Sequence, residues 1–331
     1  MFDLRGKKVM VTGATGLLGR PLVDKLIARG AHVYGVGYEN KPKDWNNEAE
    51  YYSRDLSDAG QAALLLAWLG DAQFVFHLAG AKGGVGIGRK RAADFMHGNM
   101  QSTINLLKAL DKDRLPRVLF TSSVGAYPGD RFVFIEDEME IGRPHESDYF
   151  GGYAKRFGEI LFKAYREQYG LDYVVVRPTN CYGPYDRFDP ETGMVIAALI
   201  ARLEAGESPL RLWGDGNQRR DFLYSKDCAE GMIRAMERGE SGEAYNLGTG
   251  LALPLYNVLG ALAKKYHIDP EYDITKPTGP KFRAMDMKKS FAAFGDFLRY
   301  NNTSGLYIGI AETVDWYRAN KNYQKYDPFK K

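Results

Sequence analysis

Gly13-Ala14-Thr15-Gly16-Leu17-Leu18-Gly19 follows the apolar run Val9-Met10-Val11 and opens a helical pattern from Pro21 to Arg29. A glycine-rich turn between a strand and a helix lets backbone N–H groups and the positive helix end approach a pyrophosphate. The spacing is G-x-x-G-x-x-G rather than G-x-G-x-x-G, and its meaning comes from the strand before it and the helix after it. That context points to a bound dinucleotide, cradled by Gly13, Thr15, Gly16, Leu17 and Leu18. The residue ending the second strand then sets cofactor choice: an acid takes the ribose 2′-OH of NAD, a small residue near a cation admits the 2′-phosphate of NADP. Counting along His32-Val33-Tyr34-Gly35-Val36, that position is Gly37, with Glu39 close behind and Lys41 and Lys43 beyond. The missing acid favours NADP, and Glu39 keeps NAD open. In Arg54-Asp55-Leu56 the acid suits an adenine contact. In His77-Leu78-Ala79-Gly80, Ala79 and Gly80 let the backbone approach the cofactor, and His77 reads as a packed strand-end residue.

These residues need a scaffold, and the pattern supplies one. Strand-like apolar runs at Lys8–Val11, His32–Val36, Phe74–Leu78, Arg117–Thr121 and Tyr173–Arg177 alternate with helical patterns at Pro21–Ala28, Asp58–Trp68, Ala92–Leu110 and Tyr153–Tyr169. Buried runs alternating with helices predict an α/β fold, a doubly wound parallel sheet of the Rossmann kind. Past residue 180 a Gly, Pro, Asp and Arg cluster at Gly183–Glu191 and aromatic-rich segments suggest a smaller α/β substrate domain. We expect residues 1–180 to form the cofactor domain, with 221–250 returning to it, and 181–220 plus 251–331 to form the second.

Composition removes several function classes. The chain has 331 residues, 44% hydrophobic and 26% charged, enough for a substantial core. Lys and Arg number 45 against 42 Asp and Glu, and a net charge of +3 makes no electrostatic case for nucleic acid. The two cysteines, Cys181 and Cys228, have no metal-like spacing and indicate neither zinc nor a disulfide framework. No signal-peptide pattern and no membrane-length apolar run is read, so a cytoplasmic protein is expected.

Further motifs give the chain a resemblance. Thr12 to Gly19, Thr121-Ser122-Ser123 before Tyr127, Lys155, Arg177-Pro178-Thr179-Asn180-Cys181-Tyr182-Gly183-Pro184, Arg220-Asp221-Phe222 and Tyr245-Asn246-Leu247-Gly248-Thr249-Gly250 resemble the extended short-chain dehydrogenase/reductases that act on nucleotide-diphosphate sugars. Within them the chain is most similar to the GDP-L-fucose synthases, through Ala81-Lys82-Gly83-Gly84-Val85-Gly86, Asp94-Phe95 to Asn99-Met100, Leu212-Trp213-Gly214 and Lys276-Pro277 to Gly279. The resemblance implies hydride transfer at a sugar carbon by a Ser/Tyr/Lys set. A Tyr hydroxyl moves the proton, a Lys lowers its pKa and binds the nicotinamide ribose, and a Ser hydroxyl steadies the substrate oxygen. Ser123 and Lys155 match the family Ser and Lys. Lys155, Pro178 and Asn180 then join the cofactor site. Lys82, Ser123, Asn180, Trp213, Arg220 and Arg283 match positions around a nucleotide-diphosphate sugar, a GDP-sugar by nearest resemblance. Arg220 suits the diphosphate because a guanidinium binds it bidentately. The family's long helices pair across a two-fold axis, which implies a homodimer.

Three departures narrow the chemistry. Four residues before Lys155, where the family has Tyr, this chain has Gly151. Tyr153 would point away from Lys155 in a continuous helix. Gly151-Gly152 makes a poor helix interior, so the helix is expected to start near Tyr153, leaving Tyr149 in the preceding loop to serve as proton donor. Gly125 stands where the fucose synthases carry a Cys and Met194 where they carry its partner His, so C3/C5 epimerisation by that pair is not expected. Cys181, in an apolar strand-end position, reads as core and not as a substitute. Val124-Gly125-Ala126 also lacks the Asp-Glu pair of the family's 4,6-dehydratases. What remains is redox at one carbon: a 4-keto-sugar reductase or C4 dehydrogenase. The alternatives are a 4- or C2-epimerase with tightly bound NAD and a non-catalytic cofactor-sensing protein.

Overall fold

The computed structural model describes residues 1–68, 70–81, 90–275, 281–321 and 323. The chain begins β1 (Lys8–Thr12), α1 (Gly19–Ala28), β2 (His32–Gly37), β3 (Glu50–Ser53), α2 (Ala59–Trp68), β4 (Phe74–His77) and α3 (Ala92–Ala109). Next come β5 (Arg117–Thr121), β6 (Val133–Phe134), α4 (Tyr149–Tyr169), β7 (Tyr173–Pro178), β8 (Asn180–Tyr182) and α5 (Val195–Glu204). Then follow β9 (Leu210–Trp213), β10 (Arg219–Tyr224), α6 (Ser225–Arg238), β11 (Ala244–Leu247), β12 (Ala252–Pro254) and α7 (Leu255–Tyr266). The described chain closes with β13 (Pro270–Asp273), β14 (Phe282–Met285), α8 (Lys288–Phe294) and α9 (Thr303–Ala319).

Successive strand residues face opposite sides of a sheet, and here both sides are covered. Val9, Val11, Phe76, Leu119, Val174 and Val176 pack on one face with Leu22 and Leu26 of α1 and Met232 of α6. Met10, Val75, Val118, Phe120 and Val175 pack on the other with Leu106 and Leu107 of α3 and Phe162 of α4. That two-sided burial produces the apolar runs in the sequence. The strands lie in the order β11-β7-β5-β4-β1-β2-β3, all parallel. Winding reverses between β1 and β4, so the connections leave in opposite directions and open a crevice at the strands' carboxyl ends.

A second sheet, β12-β10-β14-β6 with β8 against β10, stands over that edge. Residues 133–134 thus pair with β14 and lie outside the main sheet. A separate apolar core from α5, α7 and α9 supports this part, including Ile200, Leu259 and Ile310. No helix among the described residues is long and apolar enough to cross a membrane.

One element departs from expectation. Helix α4 starts at Tyr149, four residues before the expected Tyr153, and runs through Gly151-Gly152. Two glycines in a helix cost about 1 kcal/mol each, and packing overrides that cost. A Cβ on Gly152 would stand 2.3 Å from the Gly125 carbonyl oxygen and 2.9 Å from Pro144. A Cβ on Gly151 would stand 2.9 Å from Cε1 of Phe95. The glycines let α4 lie close to the loop after β5 and to α3, which a helix with side chains there could not do.

Candidate active site

The glycine loop sits at the crevice. Gly13 adopts φ +68°, and a Cβ on it would touch the backbone of Leu78 and Ala79 at 3.0 Å. A Cβ on Gly19 would lie 2.2 Å from Gly13 O and 2.7 Å from Ala14 Cα. No side chain caps the start of α1 at Leu18, and although Arg20 N already donates to Gly16 O, the glycine turn and the positive end of α1 suit an anion. Gly19→Ala is accordingly expected to weaken nicotinamide-cofactor binding at least ~100-fold, the order of a displaced anion cradle, while the chain stays folded. Cofactor fluorescence titration against the parent protein measures this, and an unchanged affinity refutes it.

The cleft over this loop has a volume of about 900 Å³, at the upper end of the range for ligand sites. Its lining includes Gly13, Thr15, Gly16, Leu17, Leu18, Asp55, Leu56, Ala79, Gly80, Ser123, Tyr149, Lys155, Pro178, Asn180 and Arg283. Beside the glycine loop, a Cβ on Gly37 would stand 2.4 Å from the Tyr51 hydroxyl, so a side chain there would have to displace that phenol. Tyr38, Glu39 and Arg54 also line the cleft. The Asp55 carboxylate accepts from Ser57 N at 2.8 Å and Ser57 Oγ at 2.6 Å, fixing the turn into α2. His77 bonds Thr12 Oγ1 at 2.9 Å and Thr103 Oγ1 at 3.2 Å. Burial, aided by the Lys155 charge, pulls it down to about 3, so it stays neutral. It is a strand-end packing residue.

On α4, Lys155 Nζ donates to Thr121 O at 2.9 Å. Burial pulls its pKa down to about 8 against the opposing Glu159. A Cβ on Gly80 would stand 2.5 Å from Asn99 Oδ1 and 3.5 Å from Lys155 Nζ, so Gly80 leaves room above both. Asn99 Nδ2 donates to Phe95 O and Ala81 O, while its buried Oδ1, like Thr121 Oγ1, has no hydrogen-bond partner among the described residues. Buried polar atoms are normally paired. A cradle kept clear by Gly13, Gly19 and Gly80, with unpaired acceptors beside a lysine, fits a dinucleotide's phosphates and ribose hydroxyls. In the sequence Asn99 is only one position of the Asp94-Phe95 to Asn99-Met100 motif, and the fold brings it beside Gly80.

Ser123 Oγ accepts from Gly125 N at 3.1 Å, capping a short turn and keeping its own proton available to the cleft. Tyr149 also faces the cleft and is 38% exposed. It lies in the first turn of α4 and not in the expected preceding loop, so it sits six residues before Lys155 on one continuous helix, about 120° around the axis from it, with its ring edge-on to Tyr153 at 4.9 Å. Cys181 is 8% exposed, packed in the main core, and, like Met194, borders the cleft. Lys82 and residues 83–88 and 276–279 lie outside the described residues.

The other arm of the cleft is cationic. Arg220 and Arg283 are partners in the β10–β14 register. Burial, then the Arg283 charge, pushes Arg220 down to about 10. Two adjacent guanidiniums are unfavourable alone and suit a diphosphate. Arg283 Nη1 also donates to Asp148 Oδ2 at 2.8 Å. Trp213 ends β9, 56% exposed, and is not among the residues lining this cleft. Asn180 lines it and donates to Asp221 O at 3.0 Å. Among the described residues no group of three His, Cys, Asp or Glu could hold a metal.

A sequence profile described as the NAD dependent epimerase/dehydratase family matches residues 9–248. The chain belongs to that family. Along 96% of its length it is 32% identical to a dTDP-4-dehydro-6-deoxy-D-allose reductase of Streptomyces, 98% of which is covered. It is 25% identical to a GDP-L-fucose synthase of Sinorhizobium fredii, covering 97% of this chain and 98% of that one. The UDP-glucose 4-epimerase of Thermotoga maritima superposes with a TM-score of 0.81 and 28% identity, over 95% and 99% of the two chains.

Proposed function

We propose that this enzyme reduces the ketone of a nucleotide-diphosphate 4-keto sugar, or runs the same step backwards as a C4 dehydrogenase. One observation carries the reading. Ser123, Lys155 and Arg283 line a common cleft, with Arg220 beside Arg283 in the strand register, whereas Gly125 and Met194, in the Cys and His positions of fucose synthases, offer no proton carrier. The full-length similarity to a dTDP-4-dehydro-6-deoxy-D-allose reductase supports it.

When bound, the cofactor supplies the hydride to the carbonyl carbon. Ser123 Oγ, already accepting from Gly125 N, donates its hydrogen to the carbonyl oxygen. The Lys155 ammonium holds the ribose hydroxyls and favours an ionised phenol nearby. Tyr149, a phenol that lines the cleft from the first turn of α4, delivers the proton that completes the alcohol. Arg220 and Arg283 hold the diphosphate, with Asn180 beside the substrate. The absence of an acid at Gly37, with Arg54 beside it, supports NADP over NAD. A GDP-sugar follows from the fucose-synthase motifs. The packing of α3 on α4 suits pairing of those helices across a two-fold axis in a homodimer.

The test is turnover of purified protein with NADPH or NADH against GDP-, dTDP-, UDP- and CDP-linked 4-keto sugars. Reduction of none of them ends the reductase reading. Tyr149→Phe is expected to lower kcat by ~100-fold or more, the usual scale for a lost general acid, at unchanged cofactor affinity. Full turnover in that variant removes Tyr149 from the mechanism. The likeness to a UDP-glucose 4-epimerase supports a second reading, epimerisation at C4. It requires cofactor that co-purifies and sugar interconversion without net change in the nicotinamide.

A further inference from the structure

Gly125 leaves a space beside Ser123, and a side chain from elsewhere in the chain takes it. The atoms nearest to a Cβ placed on Gly125 are Asp148 Cβ at 3.3 Å and Asp148 Cγ and Oδ1 at 3.5 Å. A carboxylate therefore stands where residue 125 would project, although the 124–126 loop carries none. Oδ2 is fully engaged: Arg283 Nη1 donates to it at 2.8 Å and Ser147 Oγ at 3.0 Å. His145 Nδ1 bonds Ser147 Oγ at 2.9 Å and completes the support. Oδ1 has no hydrogen-bond partner among the described residues. Asp148, Ser147, Gly125 and Ser123 all border the cleft.

We infer that Asp148 is a specificity-determining residue, its Oδ1 accepting a hydrogen bond from the sugar hydroxyl next to the reacting carbonyl. The inference rests on the reductase reading. An ion-paired carboxylate accepts hydrogen bonds and donates none, so its natural partner is a hydroxyl. Ser123, which steadies the carbonyl oxygen, is two peptide units from Gly125, a span of at most ~7.6 Å between Cα atoms. The group that Asp148 meets is thus on a carbon close to the ketone. In a 4-keto hexose the neighbouring carbons are C3, which bears a hydroxyl, and C5, which bears none. The substrate class is therefore a 4-keto sugar that retains its 3-hydroxyl, and a 3-deoxy sugar leaves Oδ1 without its partner.

The experiment compares GDP- and dTDP-linked 4-keto-6-deoxyhexoses with their 3-deoxy counterparts, on the parent protein, Asp148→Ala and Asp148→Asn. The parent is expected to favour the 3-hydroxy sugar by about 10- to 100-fold in kcat/KM, the scale of a hydrogen bond to a charged group. Asp148→Ala is expected to bring that ratio to about 1, with cofactor affinity unchanged, and Asp148→Asn to an intermediate value. If the alanine variant fails to fold, the asparagine variant decides: an unchanged ratio overturns the inference and a reduced one supports it. No preference in the parent, or one that survives both substitutions, overturns it. So does deuterium entering C3 or C5 from heavy water in the parent but not in Asp148→Asn, which makes Asp148 a base. Calorimetric binding of the two sugars to the cofactor-loaded protein reads the same discrimination without turnover. Failure of the reductase reading and failure of this inference are therefore separable.

Discussion

Lys155→Met is expected to leave a folded protein whose kcat/KM is reduced about a thousandfold, within the range for an acid–base group. The methionine keeps an unbranched apolar stem and removes the ammonium that lies over the Phe120 ring and beside Gly80 and Thr121. Burial holds that ammonium's pKa at about 8, so the cofactor-binding charge is present below pH 8 and lost above it. Cofactor affinity of the parent should weaken as pH rises through about 8. In Lys155→Arg that alkaline limb should vanish, because the guanidinium stays protonated. The same depression makes the unfolded chain, with a lysine near 10.4, the better proton binder between pH about 8 and that value. This group's contribution to stability therefore rises across the window. Fluorescence titration of bound NADPH from pH 6 to 10, with urea melts at the same pH values, reads both effects. A flat affinity profile in the parent refutes the assignment.

Gly151→Tyr alone is expected to lose ~1–3 kcal/mol of stability, the cost of overpacking, because Phe95 Cε1 stands 2.9 Å from the new Cβ. Pairing it with Phe95→Ala vacates that place and puts a phenol one turn before Lys155, on the lysine's side of α4. Built into Tyr149→Phe, the pair should restore kcat by at least ~10-fold, a coupling of the size neighbouring residues show in double-mutant cycles. The rescue should follow the phenol: Gly151→Phe with Phe95→Ala should give none. Absence of rescue in a folded triple variant means that the space at residue 151 does not decide where the proton donor sits. The cycle is measured by single-turnover hydride transfer together with thermal melts.

The cofactor half was legible in the sequence because its determinants are local. A glycine turn needs no distant partner to be recognised, and a two-sided sheet writes continuous apolar runs such as Val9-Met10-Val11 and Val174-Val175-Val176. The reductase chemistry was legible in what the loops lack, at Gly125 and Met194. The start of α4 was misread for a physical reason. Propensity treats Gly151-Gly152 as helix breakers, whereas their missing side chains admit Phe95, Gly125 O and Pro144. Asn99 and Asp148 escaped notice because each acquires meaning only from a residue far along the chain, Gly80 and Gly125 respectively.

By itself the sequence determined the alternating strand–helix order and the glycine turn between β1 and α1, since hydrophobic period and turn chemistry act over a few neighbours, while Ser123 and Lys155 were singled out by family resemblance. Only the tertiary structure decided which side chains share the cleft. It aligned Arg220 with Arg283 through strand register, set the Lys155 charge by burial, and brought the Asp148 carboxylate over Gly125. Those are distances between segments brought together by folding, and residue order along the chain does not encode them locally.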